Sequence, residues 1–242
     1  MKIIKPSTEI LTKINGEQIL KDIEIAARTC YKSEDKIEYE ELPYTDGVHT
    51  IIIGNTLIKA KSARILIKKL IEKGHEAMLE FGGNITVKFI CDRGVSHELV
   101  RHRLCSFAQE STRYCNYGND EHITFIIPCW LDIKEGLAKD INKESTIDTP
   151  LDIHEWMRAM QFAESMYNEL ISINNWQAQQ ARSVLPNSVK TEINISTNIR
   201  DWRHIFQLRT SKAAHPQMRE LMIPLLAEFK IRIPILFDDI TI

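Results

Sequence analysis

The chain has 242 residues, with 31 lysines and arginines set against 33 aspartates and glutamates for a formal charge of −2. A 43% hydrophobic and 26% charged content, with only nine glycines and eight prolines, excludes extended disorder and describes a chain that buries a sizeable core. A near-neutral balance argues against general nucleic-acid binding, which needs a basic excess, so any anion must be held by local arrangement.

The N-terminal stretch MKIIKPSTEIL is too short and too polar for a signal peptide, and no apolar run approaches the roughly 20 residues of a membrane span. A soluble, cytoplasmic protein without membrane contact is expected. Ala63, Leu66, Ile67, Leu70 and Ile71 form one helical stripe, with Lys61, Lys68, Lys69 and Lys73 around the rest and Gly74 placed to end the helix. Ile85, Val87, Phe89 and Cys91 then alternate as in a half-buried strand. A short helix is expected after Gly94, leading into Arg101, and a strand at Ile123, Phe125 and Ile127, closed by Pro128. Lys134 to Thr149 is polar and aperiodic and reads as an inserted or mobile segment.

Thr149, Pro150 and Asp152 mark a helix start, continued by Ile153, Trp156, Met157, Met160 and Tyr167. A second helix is expected from Trp176 to Leu185, stopped by Pro186. Ile193 and Ile195 read as a strand, and Trp202, Ile205 and Phe206 as a helix. Met218, Leu221, Met222, Leu225 and Leu226 read as a last helix, kinked or started late by Pro224. No repeat or linker divides the chain, so one domain over residues 1–242 is the simpler reading. Strands and helices mix without regular βαβ alternation, which predicts an α+β fold: a mixed or antiparallel sheet flanked by helices.

Five cysteines (Cys30, Cys91, Cys105, Cys115 and Cys129) are odd in number, scattered and never in CxxC spacing, so neither a disulfide framework nor a metal site is expected. The basic residues are more informative. Between Lys88 and Lys134 there is no lysine, yet Arg93, Arg101, Arg103 and Arg113 occur; between Lys190 and Lys212 the same holds for Arg200, Arg203 and Arg209. A phosphate or carboxylate site selects guanidinium for its planar pair of donors, whereas solvated charge does not. The pattern fits anion recognition and equally fits chance. Arg209 falls on the stripe of Trp202, Ile205 and Phe206, where a charge needs a partner, either a structural carboxylate or a ligand. Arg182 lies beside Ala178 and Ala181 on a small-residue face that permits close approach.

The most specific run is Arg101-His102-Arg103, seven residues, then Ser111, with Arg113-Tyr114 shortly after. Ala27-Arg28-Thr29-Cys30-Tyr31 and Lys73-Gly74-His75-Glu76 precede it. Ala181-Arg182-Ser183-Val184-Leu185-Pro186, Asn198-Ile199-Arg200, Leu208-Arg209 and His215-Pro216-Gln217 follow it. In this order the motifs resemble those of the flavin-dependent thymidylate synthases, from about residue 26 to about residue 217. Several members carry Ser at the place of Cys30, many have Glu at that of Gln109, some have Asn at that of His204, and the Arg209-to-His215 spacing is longer than in some.

The resemblance implies a homotetramer whose active sites form where subunits meet, binding FAD, deoxyuridine monophosphate (dUMP), methylenetetrahydrofolate and NADPH. It implies methylation of dUMP to thymidylate (dTMP), with the folate as one-carbon donor, NADPH-reduced flavin as hydride source and tetrahydrofolate as product. It assigns Glu98, Arg101, Gln109, Ser111, Arg113, Arg182 and Arg209 to the nucleotide, and His75, His102, Arg103, Ser106, Asn198, Arg200 and His204 to the flavin, with His215 a further candidate. Ser111 and Arg209 are the residues expected to matter most for turnover. No base stands beside Ser111 in the sequence, so it is expected to position the nucleotide rather than attack it.

Three competing readings remain at this level. Pro128-Cys129 has the first two residues of the Pro-Cys-His of conventional thymidylate synthases, but Trp130 replaces the histidine, and Cys129 is expected to be a buried or strand-end cysteine. A non-catalytic nucleotide- or RNA-binding module would use Arg101-His102-Arg103 as a phosphate clamp and hold no flavin. A flavoprotein acting on uracil in another context, such as tRNA, is the third.

Overall fold

The structure, a computed structural model, describes residues 1–42, 51–53, 56–119, 122–138 and 150–242. Of the segment expected as an insertion, residues 139–149 lie outside the described ones. In chain order the elements are β1 (Lys2–Ile4), β2 (Ser7–Ile10), α1 (Gly16–Tyr31), β3 (Tyr39–Leu42), β4 (Ile51–Ile53), β5 (Thr56–Ala60), α2 (Lys61–Glu72), β6 (Asn84–Asp92), α3 (Arg93–Leu99), β7 (Ser106–Gln109), β8 (Thr124–Ile126), β9 (Gly136–Leu137), α4 (Leu151–Ser172), α5 (Ala178–Ala181), β10 (Lys190–Asn198), α6 (Ile199–Arg209) and α7 (Pro216–Arg232). Among the described residues three sheets form, with the orders β8-β1-β9, β2-β6-β10-β7 and β3-β5-β4. The pairing is parallel between β1 and β8 and antiparallel between β1 and β9 and throughout β3-β5-β4, so the fold is α+β with mixed sheets, as expected.

The chain divides into two compact units. One comprises Met1–Glu9, Lys88–Arg103 and Phe107–Ile195; the other comprises Ile10–Val87, Leu104–Ser106 and Ser196–Ile242.

In the first unit Ile3 and Phe125 face each other across the β1–β8 ladder and are both fully buried. Helix α4 closes over them with Met157, Met160 and Tyr167, and Ala181 and Val189 complete the cluster. Each large side chain fully buried there contributes about 1.5–3 kcal/mol. The expected strand at 123–127 is thus β8 with its flanks. Glu164 of α4 accepts from the Ile123 amide (2.8 Å), tying the helix to the strand. Asp92 caps α3 by accepting from the Val95 amide (2.7 Å), so this helix begins at Arg93, ahead of Gly94 rather than after it. The helix expected over Trp176–Leu185 is shorter: α5 holds four residues, followed by a 3-10 turn at Arg182–Val184. The capping box of Gln177 and Gln180 starts it late, and Pro186 forces Leu185 into extended backbone.

In the second unit α2 buries Ala63, Ile67 and Leu70 and ends where expected, with Gly74 at φ 70° and the His75 amide donating to the Leu70 carbonyl (2.8 Å). Helix α1 was not legible. Its buried face carries Glu17 and Glu24 among Leu20, Ile23 and Ala27, so its apolar stripe is interrupted by charge. Both carboxylates are paired there: Glu17 accepts from Arg64 and from the Ala60 amide (2.9 Å), and Glu24 accepts from Arg28 (2.7 Å). Trp202 of α6 donates its indole N–H to the Ile85 carbonyl (3.0 Å), fixing that helix on β6. Around it Phe206, Phe229 and Phe237 pack with ring centroids 5.0 to 5.7 Å apart. Helix α7 begins at Pro216, a position that needs no N–H, and continues through Pro224, so the proline does not delay its start.

Candidate functional site

A cavity of about 440 Å³ in the first unit is lined by Arg93, His97, Thr112, Arg182, Ser183 and Asn187, among others. Arg93 is the first residue of α3, and its amide donates to the Asn187 carbonyl (2.8 Å). Its Nη1 is buried and has no hydrogen-bond partner among the described residues. Arg182 donates from Nη1 to the hydroxyl of buried Thr112 (3.1 Å) and is otherwise exposed. A buried guanidinium donor left unpaired costs the desolvation of a charged group, about 1–3 kcal/mol or more. The buried Nη1 is not open to the cavity, but Arg93 and Arg182 both line it, and two arginines with amide and hydroxyl neighbours suit a phosphate.

Of the residues assigned by resemblance to the nucleotide, Arg182 lines this cavity. Glu98, Arg101, Gln109, Ser111 and Arg113 belong to the same unit but do not line it, and Arg209 belongs to the other unit. Arg101 follows the end of α3 and is exposed, as is Arg103, and neither side chain has a partner among the described residues. Ser111 accepts from the Arg113 amide (3.3 Å) in the turn after β7, and the Arg113 guanidinium lies over the Tyr114 ring, 5.3 Å from its centroid. Arg93 carried only the signal of lying in a Lys-free segment. Its role rests on burial, which the sequence does not display.

The floor of this unit is a charged lattice on the sheet. Lys190 pairs with Glu192 (2.7 Å) and Glu110 (3.1 Å), and Glu110 accepts from the Tyr117 hydroxyl (2.8 Å). Burial, then the neighbouring Glu110, pushes the Tyr117 phenol well up, so it stays a donor. The Lys190 and Lys88 ammonium groups hold the Glu192 carboxyl below its usual range.

A second cavity, of about 500 Å³, lies in the second unit, lined by Glu76, Glu80, Leu104, Asn198, Arg200 and His204, with Asp201 and Gln207. Three of the residues assigned to the flavin meet there: Asn198, Arg200 and His204. Asn198 caps α6, accepting from the Asp201 amide (2.9 Å) while its own amide donates to the Asp201 carboxylate (3.1 Å). Arg200 pairs with Glu80 (2.6 Å), half-exposed, and that carboxylate raises its pKa. Leu104 is 82% exposed, an apolar face at the cavity wall. One cation stands there against three carboxylates, with two amides, an imidazole and an exposed leucine, so the wall offers hydrogen bonds and an apolar face to a ring, and Arg200 meets a phosphate only by leaving Glu80. Exposed His75 stands at the start of the 3-10 helix Glu76–Gly82, which supplies Glu76 and Glu80 to the cavity, and Ser106 is exposed in the same unit; neither lines it. His102 and Arg103 belong to the first unit.

On α6 the buried charge is Arg203, 1% exposed, while Arg209 is half-buried at the helix end. Arg203 binds both oxygens of Asp239 (2.7 and 2.8 Å), the Leu236 carbonyl and Glu76 (3.2 Å), so it is a structural clamp with a foot in the cavity wall. Cys129 is exposed in the turn after β8 rather than buried. Cys91 is the cysteine in the core, where burial pushes its thiol well up. Among the described residues no helix is long and apolar enough to cross a membrane.

The fold matches that of pyrimidine-methylating enzymes already solved. A UMP/dUMP methylase, PolB from Streptomyces cacaoi bound with 5-Br dUMP, superposes with a TM-score of 0.69 at 20% identity, over 98% of this chain and 96% of that one. Thymidylate synthase X from Helicobacter pylori, solved with FAD and dUMP, gives 0.63 at 20% identity, over 96% and 99%. At sequence level the model of the thymidylate synthase complementing protein family matches residues 11–235, and the chain belongs to that family. Similar curated proteins include the flavin-dependent thymidylate synthases of Corynebacterium efficiens (30% identical, 94% of this chain, 81% of that one) and Pyrococcus furiosus (34%, 72% and 63%). That of Corynebacterium glutamicum is 29% identical over 96% of this chain and 82% of its own.

Proposed function

We propose that the protein is a flavin-dependent thymidylate synthase. It methylates dUMP to dTMP, with methylenetetrahydrofolate as one-carbon donor and NADPH as reductant of bound FAD, and it releases tetrahydrofolate. Membership of the family supports the reaction class. The observation that carries the reading onto this chain is the pair of arginines, Arg93 and Arg182, lining one cavity with Thr112, Ser183 and Asn187.

In this reading Arg93 and Arg182 bind the nucleotide phosphate. Glu98, Arg101, Gln109, Ser111, Arg113 and Arg209 contribute to holding sugar and base. Cationic and hydrogen-bonding groups at the uracil carbonyls stabilise the charge that develops as the ring is activated. Ser111 orients; among the described residues no base touches its hydroxyl, which accepts from the Arg113 amide. Arg200, Asn198 and His204, with His75, His102, Arg103 and Ser106, hold the flavin, and exposed Leu104 offers it an apolar face. When bound, the flavin supplies the hydride that completes the methyl group. The enzyme acts as a cytoplasmic homotetramer in which residues 1–242 form one catalytic domain.

The test is the absorbance spectrum of the purified protein, followed under NADPH with and without dUMP. A bound yellow chromophore that NADPH bleaches, and whose spectrum responds to dUMP, is expected, with dTMP formed once the folate is added. A colourless protein that gains no flavin on incubation with FAD overturns the reading.

A further inference from the structure

We propose that Ser96 and Thr191 are positioning residues for the substrate: they turn the Gln109 carboxamide so that only its oxygen faces the nucleotide. Gln109 then reads a hydrogen-bond donor of the substrate, a sugar O–H or the base N–H, and takes no part in holding phosphate. The inference rests on the reading of Gln109 as a nucleotide-binding residue.

Three hydrogen bonds decide the orientation. Gln109 Nε2 donates to Ser96 Oγ (3.0 Å) and to Thr191 Oγ1 (3.2 Å). Ser96 Oγ in turn donates to the Arg93 carbonyl (3.0 Å). A hydroxyl has one proton, so Ser96 has only lone pairs left for Gln109 and must meet its nitrogen, not its oxygen. Both amide protons of Gln109 are thereby consumed. Its Oε1 keeps two lone pairs and accepts from no group among the described residues.

The two anchors are built for this. Ser96 on α3 and Thr191 on β10 are both fully buried, so neither hydroxyl turns to water. Ser96 also stands between Arg93, whose carbonyl it holds, and His97, and both of those line the arginine cavity. One turn of α3 thus links the carboxamide to the wall of the phosphate site. A phosphate monoester near pH 7 offers oxygens with almost no protons, so an outward amide oxygen repels it. An O–H or N–H of the substrate is what this acceptor recognises.

The experiment compares kcat/KM of the flavin-loaded enzyme for dUMP, for its 3′-deoxy analogue and for its N3-methyl analogue. The enzymes are the wild type, Thr191→Val, Thr191→Ser, Ser96→Ala/Thr191→Val and Gln109→Leu. In the wild type one of the two analogues should lose about five- to tenfold, the size of one neutral hydrogen bond, and which one it is identifies the donor. The double variant should lose a similar factor on dUMP and discriminate the analogue less than about twofold. Thr191→Val should fall between, and Thr191→Ser should restore discrimination. A merely structural role would lower all three substrates together and keep their ratio. The proposal is overturned if the ratio survives in Thr191→Val and the double variant, or if the wild type penalises neither analogue. Should the double variant fail to fold, the isosteric Thr191→Val and its Thr191→Ser counterpart decide the ratio. Wild-type turnover of dUMP by Gln109→Leu refutes the assignment of Gln109 to the nucleotide, and the inference falls with it.

Discussion

Arg93 and Arg182 face the same cavity but are held differently, and that difference sets their expected behaviour. Arg182 already has a neutral partner in Thr112, whereas Arg93 keeps a buried donor with none among the described residues. Charged hydrogen bonds contribute about 1.5–3 kcal/mol, so Arg182→Ala and Arg93→Ala should each raise KM for dUMP roughly 10- to 100-fold in initial-rate measurements. Arg93→Ala should do so without lowering the melting temperature, because the unsatisfied donor leaves with the side chain. A large loss of stability in that variant would show that the guanidinium is structural. Ser111→Ala should slow turnover without abolishing a covalent step. Mass spectrometry of enzyme denatured during turnover should find no nucleotide on Ser111 in the parent protein. An adduct there would overturn the orienting role.

At the level of elements, α6 serves two ends at once. Asn198 and Arg200 at its start reach the second cavity, while Arg203 one turn on grips the C-terminal segment through Asp239 and Leu236. The Arg203 guanidinium holds the Asp239 carboxyl below its usual range. A carboxylate with a depressed folded pKa stabilises fully above its unfolded pKa, about 3.9, and that stabilisation is lost as pH falls through the lower folded value. Asp239→Asn should therefore lose roughly 1–2 kcal/mol at pH 7, at the low end because the Asp239 side chain is 44% exposed and screened by solvent. The gap between variant and parent should close on acidification below about pH 4, as read by urea unfolding at several pH values. A gap that persists at low pH would mean that the carboxylate charge is not what Arg203 uses. The sheet face behaves alike: Glu192, lowered by Lys190 and Lys88, adds to the same acid limb.

For the whole molecule, a tetramer is the proposed assembly, and the large apolar side chains that one chain leaves uncovered are what it would bury. In the first unit Leu151 and Phe162 on α4 and Ile173 just beyond it are each more than 60% exposed, and in the second unit so are Ile231 on α7 and Leu104. Single exposed apolar residues are ordinary, but large ones clustered along a long helix commonly mark a surface that another chain covers. Sedimentation equilibrium should give four times the chain mass at micromolar concentration, and Phe162→Glu should lower it. A monomer that turns over dUMP at the full rate would refute assembly as a requirement for the site.

Much was legible in the residues themselves. The stripe of Ala63, Ile67 and Leu70, its Gly74 stop, the alternation of Ile85 to Cys91 and the long helix through Tyr167 follow from local periodicity, which survives in any context. The order of the motifs around Arg101 and Arg182 carried the family, and the Lys-free stretches flagged Arg93 without a role. Helix α1 stayed hidden because Glu17 and Glu24 break its apolar face, and they are tolerated only because Arg64, the Ala60 amide and Arg28 meet them in the folded chain. Whether a guanidinium clamps the protein or waits for a ligand is likewise decided by distant partners. Arg203 finds Asp239, 36 residues away, while Arg93 Nη1 finds none among the described residues. Composition and spacing determine which groups a chain owns. Desolvation and long-range hydrogen bonding, which exist only once it has folded, decide which of those groups are left to act.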